Sequence, residues 1–200
     1  MTPRDTMQAD VDQAAAIIER FEAIPETAIP PAAMRAARGL AILTVTKAGF
    51  IGSIRGGTGV VVARTQNGWS GPSAIGTGGV GVGFQAGAEV SELVIVLNTP
   101  AAVDAFAKGS NVTLGGALTV AAGPVGRTAQ GDVTLQAAMY TYSRSQGLFA
   151  GISLEGTVIG TRDQVNAGYY GKPVEARDIL AGKVRPPVDA QRLLAVLAKY

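Results

Sequence analysis

The chain has 200 residues, of which 47% are hydrophobic and only 16% charged, with 27 glycines, a net charge of +2 and neither cysteine nor histidine. That length makes one domain with a single sizeable core, and the apolar content excludes a disordered chain. Disulfides, thiolate metal sites and thiol nucleophiles are excluded, and the usual general base and commonest transition-metal ligand are missing. Only a carboxylate or lysine mechanism is left formally open, so no catalytic residue, metal or cofactor is assigned and the chain is not expected to be an enzyme.

The first 22 residues carry Asp5, Asp10, Asp12, Glu19 and Glu22, which is no secretory leader. Residues 8–24 instead predict an amphipathic helix: Val11, Ile17, Ile18, Phe21 and Ile24 share one broad face, acids occupy the other, and Pro25 ends it. Pro30-Pro31 opens a short helix over 32–38 that Gly39 closes. From residue 40 the pattern turns to β, with strands expected over 40–47 and 59–64 and a tight turn at Asn67-Gly68. Val80, Val82 and Phe84 alternate with Gly79, Gly81 and Gly83 at a period of two, which predicts a strand with bulky side chains on one face and bare glycines on the other. A buried strand follows over 92–97. Thr99 then caps a helix that has Pro100 at its first position and Gly109 after its last. Further strands are expected over 112–120, 133–143, 148–154 and 157–162, and short helices over 175–181 and 189–199. Helices gather at the ends and hairpins in the middle, which predicts an α+β fold: an antiparallel, β-rich single domain with short helices at both ends. Residues 65–88 form the longest uncharged stretch, but eight glycines and six interspersed polar residues make it poor transmembrane helix material. The chain reads as soluble and intracellular.

Gly76-Thr77-Gly78-Gly79-Val80-Gly81 matches the dinucleotide fingerprint GxGxxG. That chemistry needs a helix N-terminus after the glycines, and the continuation alternates as a strand does. The preferred reading is a glycine face that lets another backbone or a ring approach closely. Gly171-Lys172 is followed by Pro173 and makes no phosphate loop. Trp69 is the single tryptophan; a ring packed on the sheet is preferred over one presented at a membrane interface.

Charge is unevenly distributed. Residues 1–26 carry six acids against two bases, whereas residues 27–88 carry Arg35, Arg38, Lys47, Arg55 and Arg64 and no acid. Such a segment suits an anionic surface, through bidentate Arg and point-charge Lys contacts to phosphate. Scattered solubilising residues at hairpin ends are the other reading. Nucleic acid is not expected, since the segment has few aromatics for stacking and no recognised motif.

Longer strings carry a resemblance. Ala37-Arg38-Gly39-Leu40-Ala41-Ile42-Leu43, Lys47-Ala48-Gly49-Phe50, Gly56-Gly57-Thr58-Gly59-Val60-Val61-Val62-Ala63-Arg64 and Gly68-Trp69-Ser70-Gly71-Pro72-Ser73-Ala74-Ile75 follow in order. So do Ala122-Gly123-Pro124-Val125-Gly126-Arg127, Tyr142-Ser143-Arg144-Ser145-Gln146-Gly147-Leu148-Phe149-Ala150-Gly151 and Asn166-Ala167-Gly168-Tyr169-Tyr170-Gly171. Together they resemble the SYLF domain, over residues 19–200, with residues 1–18 as a helix leading in. The resemblance implies a non-enzymatic lipid-binding module, peripheral at phosphoinositide-containing membranes in the cytoplasm, with an endocytic or membrane-remodelling role and anionic lipids as partners. Actin filaments are the alternative partner. The candidate lipid- or phosphate-binding residues are Arg35, Arg38, Lys47, Arg55 and Arg64. The helix over 8–24 is acidic where a membrane-surface helix should be basic, so its apolar face is expected to dock onto the sheet instead. A monovalent domain only decorates a filament, so weak or absent bundling is expected.

Overall fold

The computed structural model describes residues 2–49, 52–82, 87–125, 137–145, 148–150 and 156–200. Thr2 caps the first helix, α1 (Pro3–Glu22): its hydroxyl accepts from the Asp5 N–H at 3.1 Å, and its own N–H donates to the Asp5 carboxylate at 3.2 Å. This capping box starts the helix five residues earlier than its apolar periodicity indicates. After α2 (Pro31–Ala36) come β1 (Gly39–Gly49), β2 (Gly52–Thr65), β3 (Gly68–Trp69), β4 (Ser73–Val82) and β5 (Gly87–Leu97). Then follow α3 (Pro100–Ala107), β6 (Val112–Thr113), β7 (Val120–Ala122), β8 (Met139–Ser145), β9 (Leu148–Ala150) and β10 (Val158–Thr161). The chain continues through α4 (Asp163–Tyr170), α5 (Ala176–Leu180), a single 3-10 turn and α6 (Gln191–Leu197).

The strands make one sheet in the order β6-β10-β4-β2-β1-β5-β8-β7, with β3 paired to β2 and β9 to β8; β7–β8 is parallel and the other pairs are antiparallel. The fold is α+β, a curled half-barrel with helices near both termini. β1 is its central strand, matched to β2 from Gly39↔Ala63 to Gly49↔Ser53 and to β5 from Gly39↔Leu97 to Gly49↔Gly87. Both faces of β1 are covered near its start, which is why Leu40–Leu43 is an unbroken apolar run rather than an alternating one. Leu40, Ile42, Val60, Val62 and Val94 join the core under α1, α4 and α6; Leu43, Val61, Ile75 and Ile95 face Phe106 of α3 and Leu180 of α5.

Gly76–Gly81 lies inside β4, with no helix opening from it within the strand, so the dinucleotide reading fails. Close approach explains glycine at Gly59 on the neighbouring strand β2, where a Cβ would stand 1.9 Å from the Ile42 carbonyl oxygen; at Gly76 in β4 a Cβ would stand 3.1 Å from the Arg162 side chain. Gly83 and Phe84 lie outside the described residues, as do the side chains of residues 79–82. The strand expected over 112–120 stops at Thr113, because Gly115 and Gly116 take positive φ and Gly115 turns back to bridge Leu118. Helix α4 has no counterpart among the elements read from the sequence.

Candidate functional site

Arg35 and Arg38 lie at the end of α2 and just beyond it, and both are exposed. The Arg38 N–H donates to the Leu97 carbonyl at 2.8 Å, and its own carbonyl accepts from the Arg64 N–H at 2.8 Å. These bonds set Arg38 beside Arg64 at one end of the β1–β2 pair. Lys47 stands opposite Arg55 on β2 and Glu89 on β5. Nine extended residues separate it from Arg38, about 30 Å at the strand rise. The five candidate residues therefore divide into an Arg35, Arg38 and Arg64 end and a Lys47 and Arg55 end. The Arg55 side chain lies outside the described residues.

Arg64 is a clamp. Its Nε donates to the Ala37 carbonyl at 2.9 Å, Nη2 to the Met34 carbonyl at 3.1 Å and Nη1 to the Tyr200 backbone oxygen at 3.2 Å. The guanidinium also lies over the Trp69 ring, 4.3 Å from its centroid. It thereby ties the C-terminal end of α2, the residues after α6 and β3 to one side chain, leaving two of its five N–H groups for other partners. Burial, and secondly the Arg38 charge, push its pKa below the ordinary arginine value. Trp69 packs against the core and donates its ring N–H to the Leu197 carbonyl at 2.9 Å, the packed position preferred from sequence.

Arg38, Arg64 and Trp69 line a groove of about 680 Å³. One wall is the β2–β3 turn with Gln66 and Asn67; the other is the segment after α5, with Val184 and Pro186. Gly182 lets the walls close, because a Cβ there would stand 3.1 Å from Thr65 Cγ2 and its φ of 77° suits glycine. Exposed Lys183 and Arg185 sit in that second wall segment. Sequence reasoning missed this wall; Gly182 and Pro186-Pro187 signal a loop but not where it packs.

The acids of α1 are engaged within the fold. Asp10 accepts from the Thr58 hydroxyl at 2.8 Å and pairs with Arg162 at 3.5 Å, Glu19 pairs with Arg192 at 3.6 Å, and Glu22 with Lys199 at 3.1 Å. Arg20 makes a bidentate pair with buried Glu92, which Arg144 also contacts. Glu92, Thr44, Thr58 and Gly76 are register partners on adjacent strands, a polar row across the sheet. Helix α1 runs along that row from Asp10 to Arg20, about 15 Å of helix over the two strand spacings from β2 to β5, about 10 Å. Its apolar face is sealed: Met7, Val11, Ile17, Ile18 and Phe21 are at most 3% exposed. Among the described residues, no group of three or more carboxylates could hold a metal ion, and no helix is long and apolar enough to cross a membrane.

A family model described as "Ysc84: Las17-binding protein actin regulator" matches residues 78–200. SH3 domain-containing YSC84-like protein 1 from Bos taurus is 48% identical over 202 residues, covering 97% of this chain and 59% of the relative, and the Homo sapiens protein gives the same values. LAS seventeen-binding protein 3 of Saccharomyces cerevisiae is 45% identical over 174 residues, covering 84% of this chain and 38% of the relative. The chain thus spans about three-fifths of the animal relatives.

Proposed function

Since the chain belongs to the Ysc84, or SYLF-domain, family of non-enzymatic binding modules, we propose that it acts as an actin-associated module, binding acidic filament surface through the exposed cations at the Arg35 and Arg38 end. The family's description as an actin regulator supports this reading. The observation that carries it over membrane attachment is the burial of α1. The amphipathic helix that would lie on a bilayer has its apolar face packed into the core, with Asp10, Glu19 and Glu22 paired to Arg162, Arg192 and Lys199.

Attachment to phosphoinositide membranes is the second reading, favoured by the acid-free run from residue 27 to 88 that holds Arg35, Arg38, Lys47, Arg55 and Arg64. The split of these residues between two ends of the β1–β2 pair weakens it, because one headgroup reaches only one end. Parallel assays separate the readings: high-speed co-sedimentation with actin filaments, and flotation with phosphatidylcholine vesicles with and without phosphatidylinositol bisphosphate. Pelleting with filaments and no phosphoinositide-dependent flotation is expected. Flotation that requires phosphoinositide, with no filament pelleting, would reverse the ranking. Low-speed pelleting distinguishes decoration from bundling, and decoration alone is expected.

A further inference from the structure

Folding sets Arg38 and Arg64 side by side in one groove, and among the described residues no Asp or Glu side chain lines it. Like charges held together without a counter-charge favour an anion placed between them. We propose that this groove receives an acidic peptide segment of a partner protein, with the exposed Arg38 guanidinium taking a carboxylate and Arg64 supplying positive charge from the floor.

Several features select a peptide over other anions. The groove's volume of about 680 Å³ far exceeds what an inorganic anion fills, and lies within the usual range of ligand sites. Gln66 and Asn67 offer amide donors and acceptors to a peptide backbone, while Val184 and Pro186 opposite them offer an aliphatic surface to a neighbouring apolar side chain. One face of Trp69 is covered by Arg64 and its N–H is engaged by Leu197, which leaves a poor platform for a base or a sugar. Among the described residues, none of the exposed large aliphatic side chains (Ile24, Val90, Val125, Val158 and Val188) lines the groove. Exposed Lys183 and Arg185 belong to the segment that forms one wall but are not among the residues lining the groove, so the positive charge inside it comes from Arg38 and Arg64. This inference stands apart from the filament reading: a short segment entering a groove and a filament surface are different partners, and each fails in its own assay.

Trp69, the single tryptophan, reports from inside the groove. Its emission is titrated at low salt with acetylated hexaglutamate amide, and in separate arms with hexalysine, inorganic phosphate, and phosphatidylcholine vesicles containing phosphatidylinositol bisphosphate. A saturable change with hexaglutamate and none with hexalysine is expected. It should weaken with added salt, weaken about ten-fold in Arg38→Ala, and recover in part in Arg38→Lys. Because the Arg38 side chain is exposed, circular dichroism should show these variants folded, and the salt dependence tests the wild-type chain itself. The proposal is overturned if hexaglutamate produces no saturable change in folded protein, or if Arg38→Glu binds it as wild type does. A response to phosphate or to vesicles in place of the peptide also overturns it, and assigns the groove to phosphate chemistry instead.

Discussion

Replacing Arg64 tests whether this arginine holds the fold together rather than only presenting charge. Arg64→Ala removes hydrogen bonds of 2.9, 3.1 and 3.2 Å to three carbonyls and a cation–π contact at 4.3 Å. The side chain is only partly buried, so each bond is taken at the value of an ordinary neutral hydrogen bond rather than a charged one, about 1 kcal/mol, and the ring contact at about 0.5–1 kcal/mol. The loss is therefore about 3–4 kcal/mol, a large share of a typical domain's stability of about 5–15 kcal/mol. Arg64→Lys keeps the charge, but an ammonium cannot fork to three carbonyls or lie flat on the ring, and it should lose about 2 kcal/mol. Urea unfolding followed by far-ultraviolet circular dichroism measures both without relying on Trp69, whose emission should shift red in Arg64→Ala as the ring loses its cover. An alanine variant within about 1 kcal/mol of wild type, or a lysine variant equal to it, would refute the clamp.

Asn166 is fully buried, accepting from the Ala74 N–H at 2.7 Å and donating to the Ser73 hydroxyl at 3.2 Å. Asn166→Ala leaves that N–H unpaired and should cost about 2–3 kcal/mol in urea unfolding. Gly123→Ala places a Cβ 2.2 Å from Cζ of the Tyr142 ring, so the ring must move and its hydroxyl lose the Pro124 carbonyl at 3.1 Å; a loss of about 1–3 kcal/mol with a changed near-ultraviolet spectrum is expected. Burial holds the Asp10 carboxyl above its ordinary 3.8, with the Thr58 hydrogen bond and Arg162 offsetting only part of the shift. The folded chain then binds this proton more tightly than the unfolded chain does. Its contribution to stability falls as pH rises from 3.8 through the raised value and is level above it. Asp10→Asn should accordingly gain on wild type across that window, and a pH-independent difference between the two would refute the assignment.

The sequence shows its elements where local chemistry decides them. Thr99, Pro100 and Gly109 bracket α3, and the hydroxyl of Thr99 does accept from the Ala102 N–H. Helix α1 is legible from its apolar stripe, and its docking from the mismatch between an acidic polar face and an anionic surface. Helix α4 is not legible, because Asn166 and Gly168 are weak helix formers. They serve long-range packing instead: Asn166 satisfies the Ala74 N–H, and Gly168 makes room for Pro3. The candidate site was half legible. Composition marks the five cations, but register decides which meet: Gly39↔Ala63 sets Arg38 beside Arg64, and Lys47↔Arg55 puts the other two at the far end. That Arg64 is engaged by carbonyls from residues 34, 37 and 200 is a tertiary fact with no local signature. The wall from Gly182 to Pro186 likewise reaches the groove from more than a hundred residues away.

The measurement closest to the central claim is high-speed co-sedimentation with actin filaments, comparing the wild-type chain with Arg35→Glu/Arg38→Glu at near-physiological salt. Both side chains are exposed, so the fold should survive the reversal and urea unfolding should give matching midpoints. The account predicts that the wild-type chain pellets with filaments and the double variant stays in the supernatant, because two repulsive contacts replace two attractive ones. A folded double variant that pellets as wild type does, or a wild-type chain that remains in the supernatant, would contradict it.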